Sequence, residues 1–281
     1  LFTRGETQLG RTFVNEAALE QSDIIEVLDY ERASHVIESA THIAIGDCYC
    51  RHKMLHIGKA CDNPMEICMT FNSTAETLIK HGIARKIDSV ECRDLLQSAD
   101  EHRLVQFGEN VQKRVNFICN CCGCCCEALL AAKRFGMHHP VHTTDYIPVI
   151  ETEKCSGCGK CVDACPVEAM GLISASDPKN PRRRIARLSA DACLGCAVCI
   201  RDCPSDCLRL EKREKRVIPP YNSTHKVVKM AVERGRLHEL FFDDRSLAHH
   251  RILNAIFGVL LKMPPVRQIL ASEGIKSRYF E

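Results

Sequence analysis

The chain has 281 residues, 45% of them apolar, and its 38 Lys and Arg against 36 Asp and Glu leave a formal charge of +2. That length can build two or three compact units, and the longest apolar run, Ala255–Leu261, falls far short of the ~20 residues that cross a bilayer. Twenty cysteines at metal-like spacings, with no basic segment leading into an apolar run over Leu1–Phe13, argue against a secreted disulfide scaffold and for a reducing cytosol. The start at Leu1 rather than Met leaves room for a segment upstream. Charge drifts along the chain: residues 1–150 carry 15 Lys/Arg against 20 Asp/Glu, residues 151–214 carry 11 against 10, and residues 215–281 carry 12 against 6. A basic tail suits an acidic protein or an anionic surface, and equally an ordinary solvated face.

The first elements read as helical. Asn15–Ala40 carries Ala33, Val36, Ile37 and Ala40 on one face after a start near Asp29. Ile43-Ala-Ile45 then leads into a turn that presents Cys48 and Cys50 beside Arg51, and Cys61 and Cys68 follow with Pro64 between them. Ser73-Thr-Ala-Glu76 has capping-box spacing ahead of a helix ending near Gly82, and Ser89 opens another, with Val90, Leu95, Leu96 and Ala99 inward. Next comes the dense segment Cys119, Cys121, Cys122, Gly123, Cys124, Cys125 and Cys126, leading into a helix over Glu127–Phe135 with Gly136 as its C-cap. Six thiols in eight residues would oxidise if left reactive and exposed, so the segment points to metal or cluster ligation. By offset, Cys119, Cys122 and Cys125 stand three apart, as do Cys121 and Cys124, and Cys48, Cys50, Cys61 and Cys68 are the available partners. One four-thiolate cluster with spares, two such clusters, one cluster with more than four ligands, or a tetrahedral zinc site all remain open at this point.

A strand over Tyr146–Ile150 enters the run Cys155, Cys158, Cys161, Cys165, Pro166, and the same C-x2-C-x2-C-x3-C-P run recurs 38 residues later as Cys193, Cys196, Cys199, Cys203, Pro204. Two residues between thiols let a loop wrap three corners of a cluster, with Gly157, Gly159 and Gly195 permitting close backbone approach. Pro166 and Pro204 set the chain direction and can begin short helices, with Val167–Ile173 supplying a helix and return strand. The offset aligns Cys207 with Ala169, a small buried position rather than a ligand. Arg182-Arg-Arg184 lacks interleaved aromatics, which argues against nucleic acid and for a solvated hairpin or docking loop. His138, His139 and His142 form no recognisable ligand set. After Pro219-Pro220, helices are expected over His225–Phe242 and Ser246–Met263, the latter packing on the protein or a partner, with interfacial membrane contact a weaker alternative.

The repeated run resembles bacterial two-cluster ferredoxins, where three thiolates of one run and the fourth of the other hold each [4Fe-4S] cube. That resemblance implies Cys155, Cys158, Cys161 and Cys203 around one cube and Cys193, Cys196, Cys199 and Cys165 around the other. Over roughly residues 40–210, the Cys48-Tyr-Cys50-Arg51 element, Cys61, Pro64, Cys68 and Ile118-Cys-Asn-Cys-Cys122 ahead of such a module are similar to a group of iron–sulfur electron-transfer proteins from anaerobic bacteria and archaea. The expected architecture is α+β. A mainly helical, cysteine-rich unit spans 1–145, a pseudo-twofold βαββαβ module spans 146–214, and a basic helical tail spans 215–281. The implied function is single-electron relay through two [4Fe-4S] clusters and one or two further clusters, as a subunit of an oxidoreductase complex with protein redox partners rather than a stand-alone enzyme. The alternative rests on Cys121-Cys122-Gly123, which is similar to the cysteine-rich domains of heterodisulfide reductases and implies reduction of a disulfide at an unusual cluster.

Overall fold

The computed structural model describes residues 7–19, 27–135, 142–178, 180–214, 216–242, 246–261 and 263. Among the described residues the N-terminal unit has more helix than strand, but its centre is a six-stranded antiparallel sheet absent from the mainly helical expectation: β1 (Gly10–Thr12), β2 (Ile43–Asp47), β3 (Glu66–Phe71), β4 (Arg85–Lys86), β5 (Val105–Glu109) and β6 (Phe117–Cys121), in the order β1-β5-β6-β3-β2-β4. The sheet is hard to see in the sequence because its strands are short and one of their faces carries Cys68, Thr70, Cys119 and Cys121, which read as ligands or turn residues rather than as a β-face.

Strand alternation sorts the two faces. Ile67, Met69 and Phe71 of β3 and Ile118 of β6 are fully buried, and most of them join Phe13, Ile43 and Ile45 in the main core. Helices α1 (Ala33–Ser39) and α4 (Ser89–Glu101) close that core through Ala33, Val36, Ile37 and Cys92, with Leu95 and Leu96 packed against it. The inward face of α1 is thus as expected from its periodicity. Asp88 caps α4 by accepting hydrogen bonds from the backbone N–H groups of Val90 and Glu91, and Val90 itself is 58% exposed rather than inward. Helix α3 (Asn72–Lys80) begins at Asn72, so Ser73 lies inside it and is not a cap.

The cysteines gather at one end of the sheet. β2 and β3 pair with Gly46 opposite Cys68, and β3 and β6 pair with Met69 opposite Ile118. Cys48, Cys68 and Cys119–Cys121 therefore reach the same end, where α2 (Tyr49–His56) and α5 (Glu127–Phe135) start. The Gly136 cap, His138 and His139 lie outside the described residues.

Residues 146–212 run β7 (Tyr146–Ile150), α6 (Lys160–Ala164), β8 (Met170–Ser174), β9 (Arg184–Leu188), α7 (Val198–Arg201) and β10 (Leu208–Lys212). β7 pairs antiparallel with β10 and β8 with β9. The short helices precede Pro166 and Pro204 instead of following them: each thiol loop closes through a left-handed residue, Gly159 or Ala197, and the helical turn carries the third cysteine of its run. Arg183 donates to the carbonyls of Thr152 and Glu153 at 3.1 Å, which ties the β8–β9 hairpin to the loop before Cys155.

Helix α8 (Ser223–Glu233), capped by Asn222, is anchored on the sheet by a buried ion pair between Lys226 and Glu109 of β5. Glu233 accepts hydrogen bonds from Thr7 at 2.9 and 2.6 Å. Helix α9 (Ala248–Leu260) keeps Ile252, Ile256 and Val259 exposed. No helix among the described residues is long and apolar enough to cross a membrane.

Candidate metal centres

The two runs of the 146–212 unit line two separate small cavities. The first is walled by Cys155, Cys158, Cys161, Cys203 and Cys207, and the second by Cys165, Cys193, Cys196 and Cys199. Both cavities hold three thiols of one run and the fourth of the other, the crossed arrangement implied by the resemblance. The first wall adds Leu172 and Ala186 but also Ser156 and Ser205, whereas the second is otherwise apolar, with Val167, Met170, Leu188 and Leu194. Backbone N–H groups aim at sulfur: Ala186 donates to Cys155 Sγ at 3.4 Å, Ala169 to Cys165 Sγ at 3.1 Å and Gly195 to Cys193 Sγ at 3.4 Å. Burial pushes the Cys196 thiol up to about 12 and Cys199 higher still, so four thiolates in this cavity need a multivalent cation beside them.

Gly195 shows why that loop tolerates no side chain. Its φ is +73°, and a Cβ there would stand 2.1 Å from Thr144 Oγ1 and 2.3 Å from the Tyr146 carbonyl. The close approach is to neighbouring backbone as well as to sulfur, and Gly157, its counterpart in the first run, meets the carbonyl of Arg184 in the same way. Cys207 is buried with its Sγ 3.4 Å from Cys203 Sγ, so the small buried position expected for it is also a fifth thiol on the first cavity.

Of the eleven N-terminal thiols, Cys92 lies in the main core, and the other ten separate into two sets, not along the offsets of three. Cys61, Cys122, Cys124 and Cys125 have all their sulfurs within 4.8 Å of one another. Cys48, Cys68, Cys119, Cys121, Cys126 and Cys50 form a second set, a chain of neighbouring thiols that shift one another's ionisation in that order. Cys119 and Cys121 are on one face of an extended strand, whereas the chain turns after Cys121, and that turn parts Cys119 from Cys122 and Cys125. In the six-thiol set, donation from Cys121 and Cys50, together with the Leu129 and Ala128 N–H groups opening α5, outweighs burial and holds Cys126 down to about 3. The donors Cys121 and Cys50 are correspondingly pushed up. Such alternation is how crowded thiols divide charge without a cation; a cluster would let all of them ionise.

Arg51, quoted in the sequence motif but given no role there, lies between the two sets. It is 1% exposed, its Nη1 donates to the Pro64 carbonyl, and its Nη2 donates to Cys122 Sγ at 3.6 Å. Arg213 is its counterpart near Cys193, donating to the carbonyls of Thr144, Tyr146 and Cys193 at 3.1, 3.0 and 2.8 Å. A cation next to a thiol in the sequence was the signal for Arg51; Arg213 had none, because only the folded chain brings it to Cys193 across 20 residues. His142 Nε2 accepts from the Gln8 N–H at 3.3 Å.

The two regions are in direct contact. Cys121, Cys126 and Leu129 share one apolar cluster with Ala164, Val167, Cys193 and Leu194, and Cys119, Cys165 and Cys196 pack against it. Salt bridges from Arg103 to Asp202 at 2.8 Å and from Arg201 to Asp100 at 2.7 Å join α4 and its C-terminal turn to α7.

A search of curated proteins finds no match to the chain. A family model described as a 4Fe-4S dicluster domain matches residues 148–210, the segment that holds both crossed cavities. The match supports an iron–sulfur domain that binds 4Fe-4S clusters and points to electron transfer.

Proposed function

We propose that the protein relays single electrons through two ferredoxin-type [4Fe-4S] clusters, one held by Cys155, Cys158, Cys161 and Cys203 and the other by Cys165, Cys193, Cys196 and Cys199, to a further cluster at Cys48, Cys50, Cys68, Cys119, Cys121 and Cys126. The observation that carries this reading is the shared apolar cluster in which Cys121 and Cys126 pack with Cys193 and against Cys165 and Cys196. The element order and the β7–β10 and β8–β9 pairing support a pseudo-twofold ferredoxin module. A [4Fe-4S] cluster supplies a one-electron couple. The protein's part is to exclude water and to set potential. The N–H groups of Ala186, Ala169 and Gly195 and the cation Arg213 favour the more negative, reduced state of the centre each one faces. The relay needs donor and acceptor proteins, and an oxidoreductase complex is their natural setting.

Anaerobic iron and acid-labile sulfide analysis tests the count: about eight of each belongs to the crossed pair and about twelve to the pair with a further four-iron cluster. Fewer than about eight sinks the dicluster assignment. Disulfide turnover by the isolated protein, lost in Cys122→Ser, would replace the relay with a reductase.

A further inference from the structure

The four sulfurs of Cys61, Cys122, Cys124 and Cys125 all lie within 4.8 Å of one another. Cys61 Sγ stands 3.7 Å from both Cys122 Sγ and Cys125 Sγ, and Cys124 Sγ stands 3.7 Å from Cys125 Sγ. A tetrahedron of sulfurs at about 2.3 Å from a single ion has edges of about 3.8 Å. Thiolates on the four outer corners of a cube are held apart by the cube itself, at roughly 6 Å. Among the described residues, this is the one group of three or more Cys, His, Asp or Glu whose ligand atoms all approach within 4.8 Å, and the eight cysteines of the crossed cavities do not form another. The hole is therefore matched to one ion and too small for a cube.

We propose that Cys61, Cys122, Cys124 and Cys125 hold a single tetrahedral thiophilic ion, zinc or a lone iron, distinct from the sulfide-bridged clusters. Its surroundings suit a tetrathiolate of net negative charge. The buried Arg51 guanidinium donates to Cys122 Sγ at 3.6 Å and Asn63 Nδ2 donates to Cys61 Sγ at 3.3 Å, so two outer donors orient the ligands and offset their charge. Four thiolates leave no open position, which is the mark of a structural rather than a catalytic ion. The ion joins the loop between α2 and β3, which carries Cys61, to the turn between β6 and α5, which carries the other three. That turn also carries Cys126 and packs Gly123 on Pro166, so the ion fixes the junction through which the relay would run. The site does not depend on that relay being real.

The test uses the full chain purified anaerobically. Metal and sulfide analysis is expected to find one ion per chain in excess of sulfide-matched iron. X-ray absorption at the edge of that ion is expected to show four sulfurs at about 2.3 Å with no neighbouring metal, and it separates zinc from iron. Iodoacetamide footprinting locates the ion without a variant: Cys124, though exposed, and Cys61 should resist alkylation until a chelator removes the ion. The double variant Cys61→Ser/Cys124→Ser should lose that ion and keep its sulfide. Iron and sulfide in strict parity with no second metal, prompt alkylation of Cys124 in the native protein, or loss of sulfide along with the ion in the double variant would each overturn the proposal. A sulfide count below about eight with the single ion present would count against the dicluster assignment alone.

Discussion

Gly123 is where the thiol turn meets the ferredoxin-like unit, and Gly123→Ala tests whether that contact is as tight as the structure places it. A Cβ on Gly123 would lie 2.3 Å from the Pro166 carbonyl oxygen, 2.9 Å from its Cα and 3.0 Å from its carbonyl carbon. Ordinary contact begins at 3.4 Å, so 3.4 less 2.3 leaves 1.1 Å to be relieved. Both partners are backbone, and Pro166 has its φ locked by the ring, so no flexible side chain can yield. Overpacking of this kind costs about 1–3 kcal/mol, and the absence of a soft partner puts Gly123→Ala in the upper part of that range. The assay is anaerobic urea unfolding followed by cluster absorbance, with the midpoint expected to fall and the slope to stay constant. Iron and sulfide contents before unfolding should match the wild type, because no ligand is touched. An unchanged midpoint at constant slope would refute the packing argument and with it the direct contact between the two regions.

Lys226→Met strands the Glu109 carboxylate in the protein interior and should cost about 3–5 kcal/mol, read by the same unfolding assay; a loss under about 1 kcal/mol would show that the pair is not buried. Burial alone would raise the Glu109 carboxyl, but the Lys226 ammonium, Ser223 hydroxyl and Asn116 N–H outweigh it and hold it below its usual range. Its folded value being the lower one, its contribution is complete above the unfolded value of about 4.3 and is lost as pH falls through the folded value. A wild-type stability that rose on acidification through that window would contradict the assignment. Gly195→Ala combines a left-handed φ with contacts of 2.1 and 2.3 Å, and should destabilise the second cavity by more than 2 kcal/mol, on the order of a strained backbone position plus overpacking; retention of full iron content and wild-type stability would refute it. Asp88→Ala removes the two hydrogen bonds that cap α4 and should cost about 0.5–2 kcal/mol with cluster content unchanged.

Much of the chemistry is legible without coordinates. The doubled C-x2-C-x2-C-x3-C-P run carries its own geometry, because ligand spacing and loop glycines are local, and residues as near in sequence as Cys155, Cys158 and Cys161 must share a cavity. The α1 face, the Glu127–Phe135 helix and the Tyr146–Ile150 strand follow for the same reason: periodicity and turn signals act over a few residues. What the sequence by itself determined, then, is that this is an iron–sulfur protein and which cysteines form its repeated runs. Only the tertiary structure decided how ten of the other twelve thiols, all but Cys92 and Cys207, divide. Cys61 meets Cys122 across 61 residues and Cys68 meets Cys119 across the sheet, while Cys121 and Cys122, adjacent in the chain, go to different sets. Strand pairing makes that division, and it depends on hydrogen bonds between segments far apart in the chain, which no local spacing encodes.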